Sequence, residues 1–147
     1  MQTTLILLKP DTIERSLIWE VISRIERKWL KIVGLKMMQL DDAIINEHYD
    51  FLADKPFFPN IVKYMQRTPI VAIAVSGKDA ITTVRTLTGA TNPAEALPWS
   101  IRWDFGLTID WNIIHASDSE ENAKIELNRF FKWEGIFDYN KLTDEVL

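Results

Sequence analysis

The 147-residue chain has no cysteine, which removes disulfides, thiolate metal sites and cysteine nucleophiles from consideration. No apolar run approaches the roughly 20 residues that a membrane helix needs. The first residues carry no basic segment ahead of a cleavable apolar stretch. These absences lead to the expectation of a cytoplasmic protein with no membrane partner. An excess of positive charge is missing too: 17 Lys and Arg against 21 Asp and Glu give a net charge of −4. A general polyanion binder is expected to be basic, so no nucleic acid is expected as a partner, although a local basic pocket for a small phosphate ligand is compatible with that total. Glycine is scarce, with 5 residues, and is outnumbered by 6 tryptophans. What remains is the balance of one soluble globular domain over residues 1–147, with 47% hydrophobic and 26% charged residues and no repeat, low-complexity tract or linker.

The hydrophobic pattern alternates between strands and helices. Thr4–Lys9 is a short apolar run typical of a strand buried on both faces, stopped by Pro10. Leu17, Val21, Ile25 and Trp29 recur at fours and predict an amphipathic helix. Lys31–Leu40 reads as a second strand with Val33, Leu35 and Met37 on one side. Phe58, Ile61, Val62 and Met65 predict a helix, Ile70–Val75 a third strand, and Ala80, Ile81, Val84 and Leu87 a short helix. Ile113 and Ile114 open a fourth strand that runs into His115, and Ala123, Leu127, Phe130 and Phe131 stripe a last helix beginning near Ser119. Ser117 and Glu120 have the spacing of a capping box for that helix. Such an order suits an α/β (α+β) chain: a ferredoxin-like, four-stranded antiparallel sheet covered by helices, with a long loop over Gly89–Asn112 before the last strand. A loop of that length in a compact domain is usually either functional or a sign of misassigned elements, and some local structure is expected around Phe105–Ile109.

Candidate chemistry starts from the two histidines. His115, after Ile113-Ile114, reads either as a hydrogen-bonded core-edge residue or as a group for nucleophilic or acid-base catalysis, its ring held in one orientation. Glu126 borders the inward face of the last helix, from which a carboxylate is able to hold one ring nitrogen while the other attacks. His48 reads as an ordinary surface or packing residue. Lys9, at the exit of the first strand, and Arg85 and Arg102, flanking the long loop, are either solvated cations or phosphate ligands. Periodicity does not choose between these readings.

The segment Asn112-Ile113-Ile114-His115-Ala116-Ser117-Asp118-Ser119 resembles the active-site signature of the nucleoside diphosphate kinases. Lys9-Pro10-Asp11 is similar to that family's first-strand exit, and His48-Tyr49 through Pro56-Phe57-Phe58 to its nucleotide-side helical hairpin. Leu87-Thr88-Gly89-Ala90-Thr91-Asn92-Pro93-Ala94 resembles the start of its long loop. The matches run in order over nearly the whole chain. The resemblance implies a ping-pong enzyme that moves the γ-phosphate of a nucleoside triphosphate, typically ATP, to a nucleoside diphosphate. It implies His115 as the phosphorylated nucleophile, Glu126 as its orienting carboxylate and Ser117 nearby. Lys9, Tyr49, Arg85, Thr91 and Arg102 would grip the phosphates and Asn112 would contact the sugar. Phe57 would stack on the base, with Ile61 and Ile109 lining the same slot. Mg²⁺ would arrive on the nucleotide phosphates rather than in a cage of protein ligands. The resemblance also implies a homo-oligomer, a tetramer or hexamer.

Departures from the family pattern lie at glycine positions, where this chain has Trp19, Trp29, Trp99 and Trp103 as well as Thr12 and Ser16; Trp111 and Trp133 are also unexpected. Trp99 and Trp103 bracket Arg102. Three readings stay open at this point: divergence with local repacking, a loop spoiled so that only nucleotide binding or a scaffold role survives, or glycine UGA codons read as tryptophan.

Overall fold

The computed structural model describes residues 1–146. Its strands are β1 (Gln2–Leu8), β2 (Lys31–Met38), β3 (Ile70–Gly77) and β4 (Ile114–Ala116). They form one antiparallel sheet in the order β2-β3-β1-β4, the ferredoxin-like arrangement expected from two strand-helix-strand units. The helices are α1 (Pro10–Glu14), α2 (Ile18–Arg27), α3 (Asp42–His48), α4 (Phe58–Met65), α5 (Ala80–Thr88), α6 (Ile101–Phe105), α7 (Glu120–Phe131) and α8 (Leu142–Val146). Among the described residues no helix is long and apolar enough to cross a membrane.

β1 is central because its apolar run leaves no polar face to turn outward, so helices must cover both sides. On one side Ile6 and Leu8 join Val71, Ile73 and Val75 of β3, Val21, Ile22 and Ile25 of α2, and Ala80 and Val84 of α5. On the other, Leu5 and Leu7 join Ala72 and Ala74 of β3, Ile45 of α3, Met65 of α4, and Leu127 and Phe130 of α7. This alternation decides where His115 points. Its neighbours Ile114 and Ala116 belong to the first layer, whereas His115 is in register with Leu7, a residue of the second. A strand's period of two therefore sends the imidazole toward α3 and α7.

Several local expectations are corrected. Val33, Leu35 and Met37 do not share a side: a bulge between Ile32 and Gly34 adds a residue to β2. Val33 thereby drops into the α7 layer, while Leu35 and Met37 are left exposed on the edge strand. Pro10 does not merely stop β1; it opens α1, where its missing N–H costs no bond. The first predicted helix, α2 in the structure, ends at Arg27, short of Trp29. The Ser117–Glu120 capping box does not form, because Ser119 caps α7 by accepting from the Asn122 N–H at 3.1 Å and Ser117 turns inward. The long loop is ordered by a 3-10 turn at Pro93–Glu95 and by α6, which ends at Phe105 where local structure was expected to begin. Asn92 and Ser100 cap those two pieces.

Three of the unexpected tryptophans sit in left-handed backbone: Trp29 at φ 66°, Trp99 at 74° and Trp133 at 57°, with Ser16 at 57° as well. That region favours glycine and crowds a side chain of tryptophan's bulk. All three rings are exposed, Trp99 at 87%. Trp19 and Trp103 lie within helices α2 and α6 instead. Because the Trp99 ring points to solvent, Arg102 is still carried inward on α6 and is buried.

Candidate active site

β4 places His115 between α3 and α7. Its Nε2 lies 2.9 and 3.1 Å from the two carboxylate oxygens of Glu126, and the Ser117 hydroxyl donates to the same carboxylate at 2.5 Å. Burial raises the Glu126 carboxyl, but the hydrogen bond and charge of His115, the Ser117 hydroxyl and the charge of His48 outweigh it and hold the group below the usual carboxylate value. An ionised carboxylate only accepts, so Nε2 carries the hydrogen, and in the neutral imidazole Nδ1 is then the nitrogen with the lone pair. An imidazole with one nitrogen fixed and the other free is the form a nitrogen nucleophile requires.

His48 is not a surface residue. It is buried on α3 and meets His115 edge-to-face with ring centroids 4.8 Å apart. The Arg129 guanidinium donates to its Nδ1 at 2.8 Å, which fixes the neutral tautomer with hydrogen on Nε2. Burial, then His115, push its pKa down to about 3. A signal was present in the sequence: His48 lies three residues after Ile45, on the apolar face of α3.

Cations converge on the same cleft, which holds about 360 Å³ and is walled in part by Lys9, Tyr49, Arg85, Thr91, Arg102 and Asn112. Lys9 donates to Asn112 Oδ1 at 2.8 Å, and Asn112 Nδ2 donates to the Thr91 carbonyl at 3.0 Å. Arg85 donates to the Ala116 carbonyl at 3.2 Å, and Arg102 reaches the carbonyls of Gly89 and Ile114 at 3.0 and 2.7 Å. Burial and the neighbouring Arg102 lower Lys9 to about 8, and burial and Arg85 lower Arg102 to about 10. The buried Arg102 Nε has no hydrogen-bond partner. Positive groups that depress one another, with a donor left over, form a place for an anion. Burial raises the Tyr49 phenol to about 12, so it remains a neutral hydroxyl.

A second cleft of about 580 Å³ lies alongside, since its residues Leu52 and Trp111 are chain neighbours of Phe51 and Asn112 in the first. Phe57, Asn60, Ile61, Tyr64 and Asp110 complete it. The ring of Phe57 is 49% exposed there. Ile109 is not part of this lining: the backbone N–H groups of Leu107 and Thr108 bond to the Trp111 carbonyl, and that turn leaves Ile109 exposed at its tip while Trp111 faces the cleft. Tyr64 and Trp111 were not singled out as lining residues from sequence, although Tyr64 follows Ile61 by three on α4. Every other residue expected at the site borders one of the two clefts or contacts a residue that does.

The family model described as nucleoside diphosphate kinase matches residues 2–136. A nucleoside diphosphate kinase of Roseiflexus castenholzii is 46% identical, with 99% of this chain and 97% of that protein covered. One from Archaeoglobus fulgidus is also 46% identical, over 99% and 96% of the two chains. Among solved structures, the Halobacterium salinarum nucleoside diphosphate kinase in complex with CDP superposes with a TM-score of 0.93 at 36% identity, covering 99% of this chain and 97% of that one. A nucleoside diphosphate kinase family protein from Babesia bovis gives 0.94 at 34% identity, with 99% of both chains covered. The chain belongs to the nucleoside diphosphate kinase family, the phosphotransferases that make nucleoside triphosphates from diphosphates.

Proposed function

We propose that His115 Nδ1 carries the phosphoryl group from a nucleoside triphosphate to a nucleoside diphosphate. The observation that carries this reading is the Nε2–Glu126 contact beside a cleft walled by Lys9, Arg85 and Arg102, none of which takes part in an ion pair among the described residues. In the first half-reaction Nδ1 attacks the γ-phosphorus. The N–P bond forms as the bond to the bridging β,γ-oxygen breaks, and the diphosphate leaves with that electron pair. Positive charge developing on the ring is held by Glu126, and charge on the transferring oxygens meets Lys9, Arg85, Arg102 and the hydroxyls of Tyr49 and Thr91. A second diphosphate then reverses the step. Phe57 stacks on the base with Ile61 and Trp111 beside it, an arrangement tolerant of base identity because every base has a π-face. Asn112, tied to Lys9 and Thr91, faces the sugar.

Mg²⁺ enters on the nucleotide. Among the described residues the group with metal-ligand atoms in reach is His48, His115 and Glu126. Arg129 already occupies His48, and His115 and Ser117 already occupy Glu126, so this group does not suit an ion that prefers free oxygens and water. Mg²⁺ would be held instead by the phosphate oxygens it arrives on, and would offset their charge. The chain works as one cytoplasmic domain and assembles as a homo-oligomer, a tetramer or hexamer. The exposed Leu35 and Met37 on the edge strand support assembly.

Initial rates at varied ATP and diphosphate should give parallel double-reciprocal lines, and His115→Ala should lose at least about 10⁴-fold in kcat with its melting temperature nearly unchanged. Intersecting lines, or an active His115→Ala protein, would refute the reading.

A further inference from the structure

Two residues before His115 the backbone takes an unusual path. Ile113, fully buried and β-branched, has φ 77°. The Ile114 N–H bonds to the Asn112 carbonyl at 2.8 Å, closing a three-residue γ-turn of the strained, positive-φ kind. Left-handed backbone at a β-branched residue persists only where the surroundings impose it, and here they do so from one direction. The Ile113 N–H donates to Asp11 Oδ2 at 3.0 Å. Its carbonyl accepts from the Lys9 N–H at 2.8 Å and from the Thr12 hydroxyl at 2.6 Å. The other oxygen of Asp11 accepts from the Tyr64 hydroxyl.

Asp11 is 1% exposed and forms no ion pair among the described residues, although its charge is felt by Lys9. A buried carboxylate without an ion-pair partner is retained against a solvation cost, so its two hydrogen bonds have a use beyond packing. One goes to the turn that aims β4, the other to a wall of the apolar cleft.

We infer that Asp11 and Tyr64 are positioning residues for His115: through the γ-turn at Ile113 they fix the angle at which β4 leaves Asn112, and so the reach of His115 Nδ1 into the cation-lined cleft. Neither side chain touches the phosphoryl group. The inference rests on His115 being the phosphate carrier, and the test separates the two claims.

The experiment measures single-turnover phosphorylation of His115 in the wild-type chain, Asp11→Ala, Asp11→Asn and Tyr64→Phe. Two donors are used: ATP, and phosphoramidate, whose P–N bond breaks to release ammonia and which carries no base. ADP affinity and melting temperature are followed in parallel. Asp11→Ala should lower the rate with both donors by roughly 10- to 100-fold, as expected for a displaced reacting group, and leave ADP affinity within about threefold. Asp11→Asn, which keeps an oxygen for the Ile113 N–H and an amide for the Tyr64 oxygen, should recover most of the loss. Should Asp11→Ala not fold, Tyr64→Phe, which deletes one hydroxyl, should show the same pattern at roughly 3- to 10-fold. Folded variants with the wild-type rate, or rate losses that follow ADP affinity or melting temperature alone, would overturn the positioning role. A wild-type chain that accepts phosphate from neither donor would instead overturn His115 as the carrier.

Discussion

At the scale of single residues, the site depends on which groups keep their charge. Glu126 is held ionised chiefly by His115 and Ser117 against the opposing effect of burial. Glu126→Gln keeps an oxygen facing His115 Nε2 and removes the charge, so kcat should fall by about 10²-fold with little change in nucleotide KM. The stability sign follows from the depressed folded pKa: this carboxylate's contribution is complete above its ordinary value of 4.5 and is lost as pH falls through the lower folded value. The variant's melting temperature should therefore vary less with pH in that acid window, as scanning calorimetry will register. Lys9 behaves oppositely. With its pKa lowered to about 8, the free enzyme loses this phosphate-binding charge as pH rises through that value. kcat/KM should decline there, while kcat should hold to higher pH because bound phosphates favour the charged amine. A kcat/KM that stays flat to pH 10 would contradict a lowered Lys9 pKa in the free enzyme. The types and positions of these residues were legible from the ordered resemblance. His48 escaped because a lone histidine on an apolar face reads as packing, and nothing local announced that Arg129 from α7 would fix its tautomer.

At the scale of elements, the apolar periods located all four strands and the main helices. What they missed were features set by single backbone angles or caps. The bulge at Ile32–Gly34 reversed which face Leu35 and Met37 occupy, and Ser119 rather than Ser117 capped α7, freeing Ser117 for Glu126. The short helices α1, α3 and α6 have too few turns to establish a period. The tryptophans separate into two sets. Trp29, Trp99 and Trp133 occupy left-handed backbone, where a side chain costs roughly 1–2 kcal/mol. Replacing each with glycine should raise stability by about 0.5–1 kcal/mol after glycine's greater unfolded-state entropy is counted. Trp19 lies in ordinary helix, and Trp19→Gly should lower stability by about 0.5 kcal/mol. Urea titrations of the four variants distinguish these outcomes. Gains at Trp29 and Trp99 would match the reading of UGA codons as glycine, and UGG codons at Trp99 and Trp103 would eliminate it.

At the scale of the whole molecule, a chain of net charge −4 gathers Lys9 from the exit of β1, Arg85 from α5 and Arg102 from α6 around one imidazole. No periodicity in the sequence announces that convergence. It arises because β1 is central, β4 pairs with it at Leu7 and His115, and the long connection folds back across the same sheet end. The outward Trp99 leaves Arg102 in place, which favours an active enzyme over a binding-only relative. The central claim is that Glu126 holds Nε2 so that phosphate forms on Nδ1. Phosphorus NMR of the protein after brief exposure to ATP, recorded at alkaline pH where phosphohistidine survives, tests it most directly. The account predicts one phosphohistidine signal with the phosphorus on Nδ1 of His115, discharged on adding a different nucleoside diphosphate. Phosphorus on Nε2, or a signal that persists in His115→Ala, would contradict it.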